Sequence, residues 1–198
     1  MLDPGNVMIS APYYIGGRSG VSAAFGAGTD VFSLRNIGRI DPNSPGGAPL
    51  IPVPLRVSQI RIGFAAVTAF TAGAFAFEVH KAVNFTAQAT GGTQLTAVPR
   101  KTTGYPAIAT TEVDAMIADT AALTPGTYTL LGGAGFSTPI AFAAGGSGST
   151  FPCFSDSWAP HDLCPLTLEA NEGLVVRSTV AQAVGTGRLF AIIDFLRQ

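Results

Sequence analysis

The stretch LTLEANEGLVVRSTV, residues 166–180, holds the pair best placed by type and spacing for acid/base chemistry: Glu169 and Glu172, three apart, with Arg177 close behind. Two carboxylates flanking a cleft can hydrolyse a glycosidic bond, one as acid and the other as base or nucleophile. The residues around them point elsewhere. Asn171 and Gly173 are able to take positive φ, so ANEG reads as a turn with Glu172 inside it and in solvent. Nothing in the sequence would raise the pKa of a carboxylate held there. On this reading Glu169 ends one strand and LVVRSTV returns as its partner in a hairpin. Leu174, Val176 and Ser178 then share one face, and Val175, Arg177 and Thr179 the other.

The second candidate is CFSDSWAPHDLC, with Cys153, His161 and Cys164. A zinc site is normally built from four ligands in short paired spacings. Here ten residues separate the only two cysteines, and the one further histidine is His80. His80 or Asp162 would have to complete the set, so no metal or other cofactor is expected. A disulfide between Cys153 and Cys164 is geometrically possible, but it is unusual in a cytoplasmic product, and two free thiols is the favoured reading. GGAGFSTP and GGSGST lack the lysine of a phosphate loop, the spacing of a dinucleotide fingerprint and the form of a nucleophile elbow. Two histidines give little scope for a Ser-His-Asp triad. NFT at 84–86 matches a glycosylation acceptor but falls within an expected strand, with no secretion signal ahead of it.

These residues must be positioned by a chain that is 47% hydrophobic and only 12% charged, with 24 Gly and 14 Pro among 198 residues. Such a chain is too apolar for disorder and too punctuated for a helical bundle, which favours many short strands joined by tight turns. Net charge −1 and the absence of any run of basic residues argue against sequence-independent nucleic-acid binding. The N-terminus MLDPGNVMIS has no basic n-region or apolar h-region, so no secretory signal is expected. The apolar run IGFAAVTAFTAGAFAF, residues 62–77, is shorter than a bilayer span and reads as buried strands, not a membrane helix.

Residues 1–54 include DPNSPGGAPLIPVP, whose prolines block helix and central strand. They read as an extended Pro/Gly-rich N-terminal arm with short strands at 20–25 and 30–40. The body, 55–198, opens with LRVSQIRIGFAAV, where Ile60, Ile62 and Phe64 share one face and Arg61 the other. Over 74–87, Phe75, Phe77, Val79, Val83 and Phe85 share one parity, broken only by Lys81. ATGGTQ reads as a loop. Further strands are expected at 112–119, 126–131, PIAFAA, 165–169, 174–180 and 187–196. About eight body strands with turn signals every 8–12 residues predict an all-β antiparallel sandwich of jelly-roll type.

Arg35, Arg39, Arg56 and Arg61 are four arginines within 27 residues, with Asp41 the only acid among them. Arginine suits bidentate contacts at protein interfaces, so these four are the candidate partner-binding residues.

The segments LRVSQIRIGFAAVTAFTAGAFAFEVHKA, TGGTQL, IADTAALTPGTYTL and PLTLEANEGLVVRSTVAQAVGTGRLFAIIDF together resemble a group of small virion structural proteins of tailed bacteriophages. The resemblance covers roughly residues 55–196 and rests on strands and turns. It departs at 62–77, which is more apolar than is usual in that group. It implies a β-sandwich or jelly-roll subunit of the head decoration (cement) type, often trimeric, with no catalytic residues to carry over. The expectation is thus a non-enzymatic homo-oligomer, a trimer. Made in a host bacterial cytoplasm, it would bind the outer surface of the major capsid protein lattice, with no nucleic-acid or membrane partner. Two rivals are a tail, neck or receptor-binding virion component, and a carbohydrate-binding module with Trp158 as its aromatic platform.

Overall fold

A computed structural model describes residues 13–23, 25–40, 50–51, 53–68, 73–100, 107–131, 136–142, 166–179 and 185–197. In chain order the strands are β1 (Tyr13–Arg18), β2 (Ser22–Ala23), β3 (Thr29–Asn36), β4 (Arg39–Ile40) and β5 (Leu50–Ile51). Then come β6 (Leu55–Ala66), β7 (Gly73–Ala87), β8 (Gly92–Leu95), β9 (Val98–Pro99) and β10 (Val113–Ala118). The last five are β11 (Thr127–Leu130), β12 (Phe136–Phe142), β13 (Leu166–Leu168), β14 (Glu172–Ser178) and β15 (Thr186–Arg197). The described residues are all-β, as the turn-rich composition predicts.

Two antiparallel sheets pack face to face. The first has the order β13-β6-β15-β1-β9, with β2 also pairing β15; the second has the order β11-β7-β14-β3-β10-β8, with β12 also pairing β7. The pairing is nested along the chain. β1 pairs β15, β3 pairs β14, β6 pairs β13, and β7 pairs β11 and β12. The inward parity of each long strand supplies one continuous core. Ile60, Ile62, Phe64, Leu189, Ala191 and Ile193 come from the first sheet; Phe32, Leu34, Phe77, Val79, Leu174 and Val176 come from the second. Phe25, from the β2–β3 connection, meets Phe64 and Phe77 edge-on, both at 6.5 Å between centroids, and so joins the two layers.

The division at residue 54 does not hold. β1 runs beside β15 from Tyr13↔Phe195 to Arg18↔Phe190, and β3 lies between β14 and β10 inside the second sheet. Ile15, Val31, Phe32 and Leu34 have no solvent exposure. Residues 13–40 are therefore sandwich, because their alternating apolar side chains complete the core that 55–198 leaves open. Most of the proline-rich segment, 41–49 and 52, and residues 1–12 lie outside the described residues.

Asn36 stitches the layers at one end. Its side-chain amide donates to the carbonyls of Leu168 (2.8 Å) and Val53 (3.0 Å), while Oδ1 accepts from the Gly38 N–H. A buried amide with its capacity so filled costs little, whereas an unfilled one is expensive.

Three further expectations change. ATGGTQ is not all loop: Gly92–Leu95 is a strand paired to β10. The strands flanking ANEG do not form a hairpin with each other, since β13 pairs β6 in the first sheet and β14 pairs β3 and β7 in the second. The turn carries the chain between layers. On β7 the alternation fails after Val79. Asn84 adopts φ 53°, and Thr127 and Thr129 of β11 face Ala87 and Val83, so the bulge lies on β7. Phe85 is thereby turned to the outer face, where it packs with Ala82, Val175, Tyr128 and Leu130 in a second small cluster.

Candidate functional site: two charged sheet faces

Cross-sheet geometry gathers the charged side chains into separate clusters. On the outer face of the second sheet the organising residue is Asp30. Along β3 the register with β14 shifts so that Val176 faces Phe32 while Arg177 faces Asp30. The extra residue lets Val31 and Phe32 both enter the core and turns Asp30 outward, beside Arg177. Asp30 has no solvent exposure. One carboxylate oxygen accepts from Arg177 Nε at 2.5 Å, the other accepts from the Tyr128 hydroxyl, and the backbone carbonyl accepts from the Leu123 N–H at 2.8 Å. Burial pushes the Asp30 carboxyl above its ordinary value; the hydrogen bond and charge of Arg177, and then His80, act in the opposite direction. Beside it, His80 Nε2 lies 3.1 Å from Glu78 Oε2, and Glu78 in turn faces Arg177 across the strands. His80 Nδ1 is buried without a hydrogen-bond partner.

Aspartate, histidine and tyrosine side by side are the ingredients of general acid/base chemistry. Here both Asp30 oxygens are occupied and closed off from solvent, so a reacting atom has no approach to them. The cluster is a lock across β3, β7, β14 and β11.

The opening carboxylates separate. Glu169 is exposed, and its backbone N–H donates to Glu172 Oε2 at 2.8 Å. Glu172 is half-buried, not free in solvent: the same oxygen lies 2.7 Å from Lys81 Nζ, which also donates to the Thr167 carbonyl. Lys81, which breaks the apolar parity of residues 74–87, is spent on closing this turn. Asn171 takes φ 62°, as ANEG requires. Gly173 is needed for a different reason, because a Cβ there would lie 2.7 Å from Phe85 Cδ1.

The four clustered arginines do not form one patch. Arg35 lies on the outer face of the second sheet, opposite Asp114, and donates to Asn171 Oδ1 at 3.2 Å. Burial lowers its pKa, with Asp114 acting against the shift. Arg39 is exposed and sits 3.9 Å from Glu112, which Arg197 holds at 2.6 Å. Arg56 and Arg61 belong to the outer face of the first sheet, on the other side of the sandwich. The chain crosses from one layer to the other between β3 and β6, so neighbours in sequence end up on opposite faces.

On that outer face of the first sheet, Asp194 is 3% exposed and accepts from two arginines. Arg61 Nη2 reaches Oδ2 at 2.9 Å, and Arg100 reaches Oδ1 through Nε at 3.0 Å. The Arg100 guanidinium also lies over the Tyr14 ring, 5.1 Å from its centroid. A β-bulge at Ser58 of β6 sets this up, and Ser58 Oγ donates to the Asp194 carbonyl.

Cys153, Trp158, His161, Asp162 and Cys164 lie outside the described residues. Among the described residues no group of three or more His, Cys, Asp or Glu side chains is placed to hold a metal ion, and no helix is long and apolar enough to cross a membrane. Compared with protein-family models, curated proteins and solved structures, the chain matches none.

Proposed function

We propose that this chain is a non-enzymatic virion structural protein of the capsid-decoration (cement) type, a jelly-roll subunit that coats the outer surface of a phage head lattice. The nested strand pairing carries the reading. First with last, second with seventh, third with sixth and fourth with fifth is the wiring of an antiparallel ribbon folded over into a jelly roll, and it fits β1–β15, β3–β14, β6–β13 and β7–β11/β12. That architecture recurs in capsid proteins, and fold alone does not assign function. The resemblance of residues 55–196 to small phage virion proteins supplies the functional half of the reading.

In this role the subunit acts by mass action: a protein that binds only the assembled shell stabilises it by its binding free energy. A trimer would cover part of the neutral surface left by a 12%-charged chain. A cryo-EM map of the purified particle tests the proposal. Density for this sandwich repeated over the head lattice is the expected result; density confined to neck or tail overturns it.

A further inference from the structure

The arginines of this chain are distributed very unevenly over the two layers. Strand parity and pairing place Arg56 and Arg61 of β6, Arg188 of β15 and Arg18 of β1 on the outer face of the first sheet. Arg100 joins them through its contact with Tyr14. Five of the nine arginines thus share one face, where Asp194 is the buried carboxylate that two of them hold and exposed Glu169 lies at the margin, just past the end of β13. Arg61 and Arg100 are held by it, at 37% and 42% side-chain exposure, while Arg18, Arg56 and Arg188 make no ion pair among the described residues. On the outer face of the second sheet, by contrast, Asp30, Glu78 and Asp114 outnumber Arg35 and Arg177. A chain of net charge −1 therefore carries a basic face.

Between those arginines stand apolar side chains. Gly16 and Gly63 bring the backbone close to Ile192 and Phe190, whose nearest atoms lie 2.9 and 3.9 Å from where a Cβ would sit. Val98, paired with Tyr14 at the sheet margin, is 42% exposed. Arginines interleaved with half-buried aromatic and aliphatic residues, with no lysine among the described residues of this face, have the composition of a protein–protein contact. Nucleic acid is the poorer match, because a net-negative chain with three arginines outside the described ion pairs gives little phosphate neutralisation.

We propose that the outer face of the first sheet docks onto an acidic, partly apolar protein surface, with Arg18, Arg56 and Arg188 as its contacts and the Asp194–Arg61–Arg100 cluster as the rigid support beneath them. Under the head-decoration reading, on which this identification of the partner rests, that surface is the exposed side of the capsid lattice. Charge complementarity sets partner choice and association rate, and salt weakens it.

The test uses the intact chain against three immobilised probes: phage heads purified without it, poly-L-glutamate, and double-stranded DNA. The triple variant Arg18→Gln, Arg56→Gln, Arg188→Gln is compared with Thr93→Glu, Thr127→Glu, Thr129→Glu, which makes the same change in net charge at exposed positions of the second sheet. The expected result is binding to heads and poly-L-glutamate that falls about tenfold or more in the arginine variant and is left within about threefold by the threonine variant. Arg18→Gln alone, at an exposed position, gives a smaller loss in the same direction and guards against misfolding of the triple variant. Heads bound equally well by wild type and arginine variant overturn the docking face while leaving decoration intact. Wild type that ignores heads but holds poly-L-glutamate through these arginines sinks decoration and supports the face. Preference for DNA over poly-L-glutamate overturns the protein occupant.

Discussion

Asp30 of β3 and Arg177 of β14 face each other in register across a bulge, and the guanidinium meets, at 2.5 Å, a carboxylate that has no solvent exposure. Desolvating that carboxylate is costly, and the pair offsets the cost only while both members are present. Arg177→Met is expected to destabilise the fold by about 3 kcal/mol and to lower the melting temperature by roughly 6–12 °C. Adding Asp30→Asn to that variant recovers part of the loss. Thermal and urea unfolding of the two singles and the double check this; a double variant less stable than Arg177→Met refutes the pairing argument.

The Asp30 carboxyl is raised above its ordinary value near 3.8, chiefly by burial. A folded-state pKa above the unfolded one means the native state holds its proton longer. The associated stability is complete below the unfolded value and is lost as pH rises through the raised folded value. Wild type should therefore lose stability relative to Asp30→Asn as pH rises from about 3.5 upward, which is the reverse of a salt-bridged carboxylate with a depressed pKa. Urea midpoints for both proteins between about pH 3 and pH 7 measure the gap. A gap that moves the other way contradicts burial as the dominant influence.

Two backbone positions have opposite tolerances. Asn84 sits in the left-handed region, so Asn84→Gly should be neutral or slightly stabilising and Asn84→Val should cost about 1–2 kcal/mol. Gly173 has no room for a side chain against Phe85 and the Leu34 carbonyl, so Gly173→Ala should cost about 3 kcal/mol, the upper end for overpacking. Denaturant midpoints separate the three. A well-tolerated Gly173→Ala would mean that Phe85 and the β3 backbone yield easily.

Deleting residues 1–36 should abolish cooperative folding, because β1 and β3 hold interior places in the two sheets. Near-ultraviolet circular dichroism and an unfolding transition report this directly. A truncated chain with a sharp transition would restore the arm-and-body division.

Asp194 accepts from two arginines, so Asp194→Asn should cost more than the loss of either donor: about 2 kcal/mol, against about 1 kcal/mol or less for the half-exposed Arg61→Ala or Arg100→Ala. Equal losses for all three would mean that the carboxylate tolerates solitude.

Much of the architecture was legible from local pattern. Period-2 alternation places Ile60, Ile62, Phe64, Leu174 and Val176 inward, as found. Residues 13–36 were harder, since YYIGGR holds two glycines and TDVFSLRN buries an aspartate, a serine and an asparagine. Asp30 is compatible with an interior strand only because Arg177 and Tyr128 reach it, and that arrangement is invisible to a local window. The turn at ANEG was legible from Asn171, but its bridging of two layers was not, because turn chemistry does not say which strands pair. Likewise, Arg35 and Arg61 are near in sequence and far apart in space, whereas Arg18 and Arg188 reach one face from opposite ends of the chain.

The pairing of Tyr13 with Phe195 has a consequence for the order of events during synthesis. β15, the last of the described strands in chain order, lies between β6 and β1 at the middle of its sheet. Until it arrives, those two strands lack the neighbour that joins them, and the nascent chain carries unpaired apolar edges. Folding of this layer therefore waits for β15, and it is slow because the contacts of β15 reach back to β1. A stop codon ahead of β15 would thus leave a chain with exposed strand edges, prone to self-association.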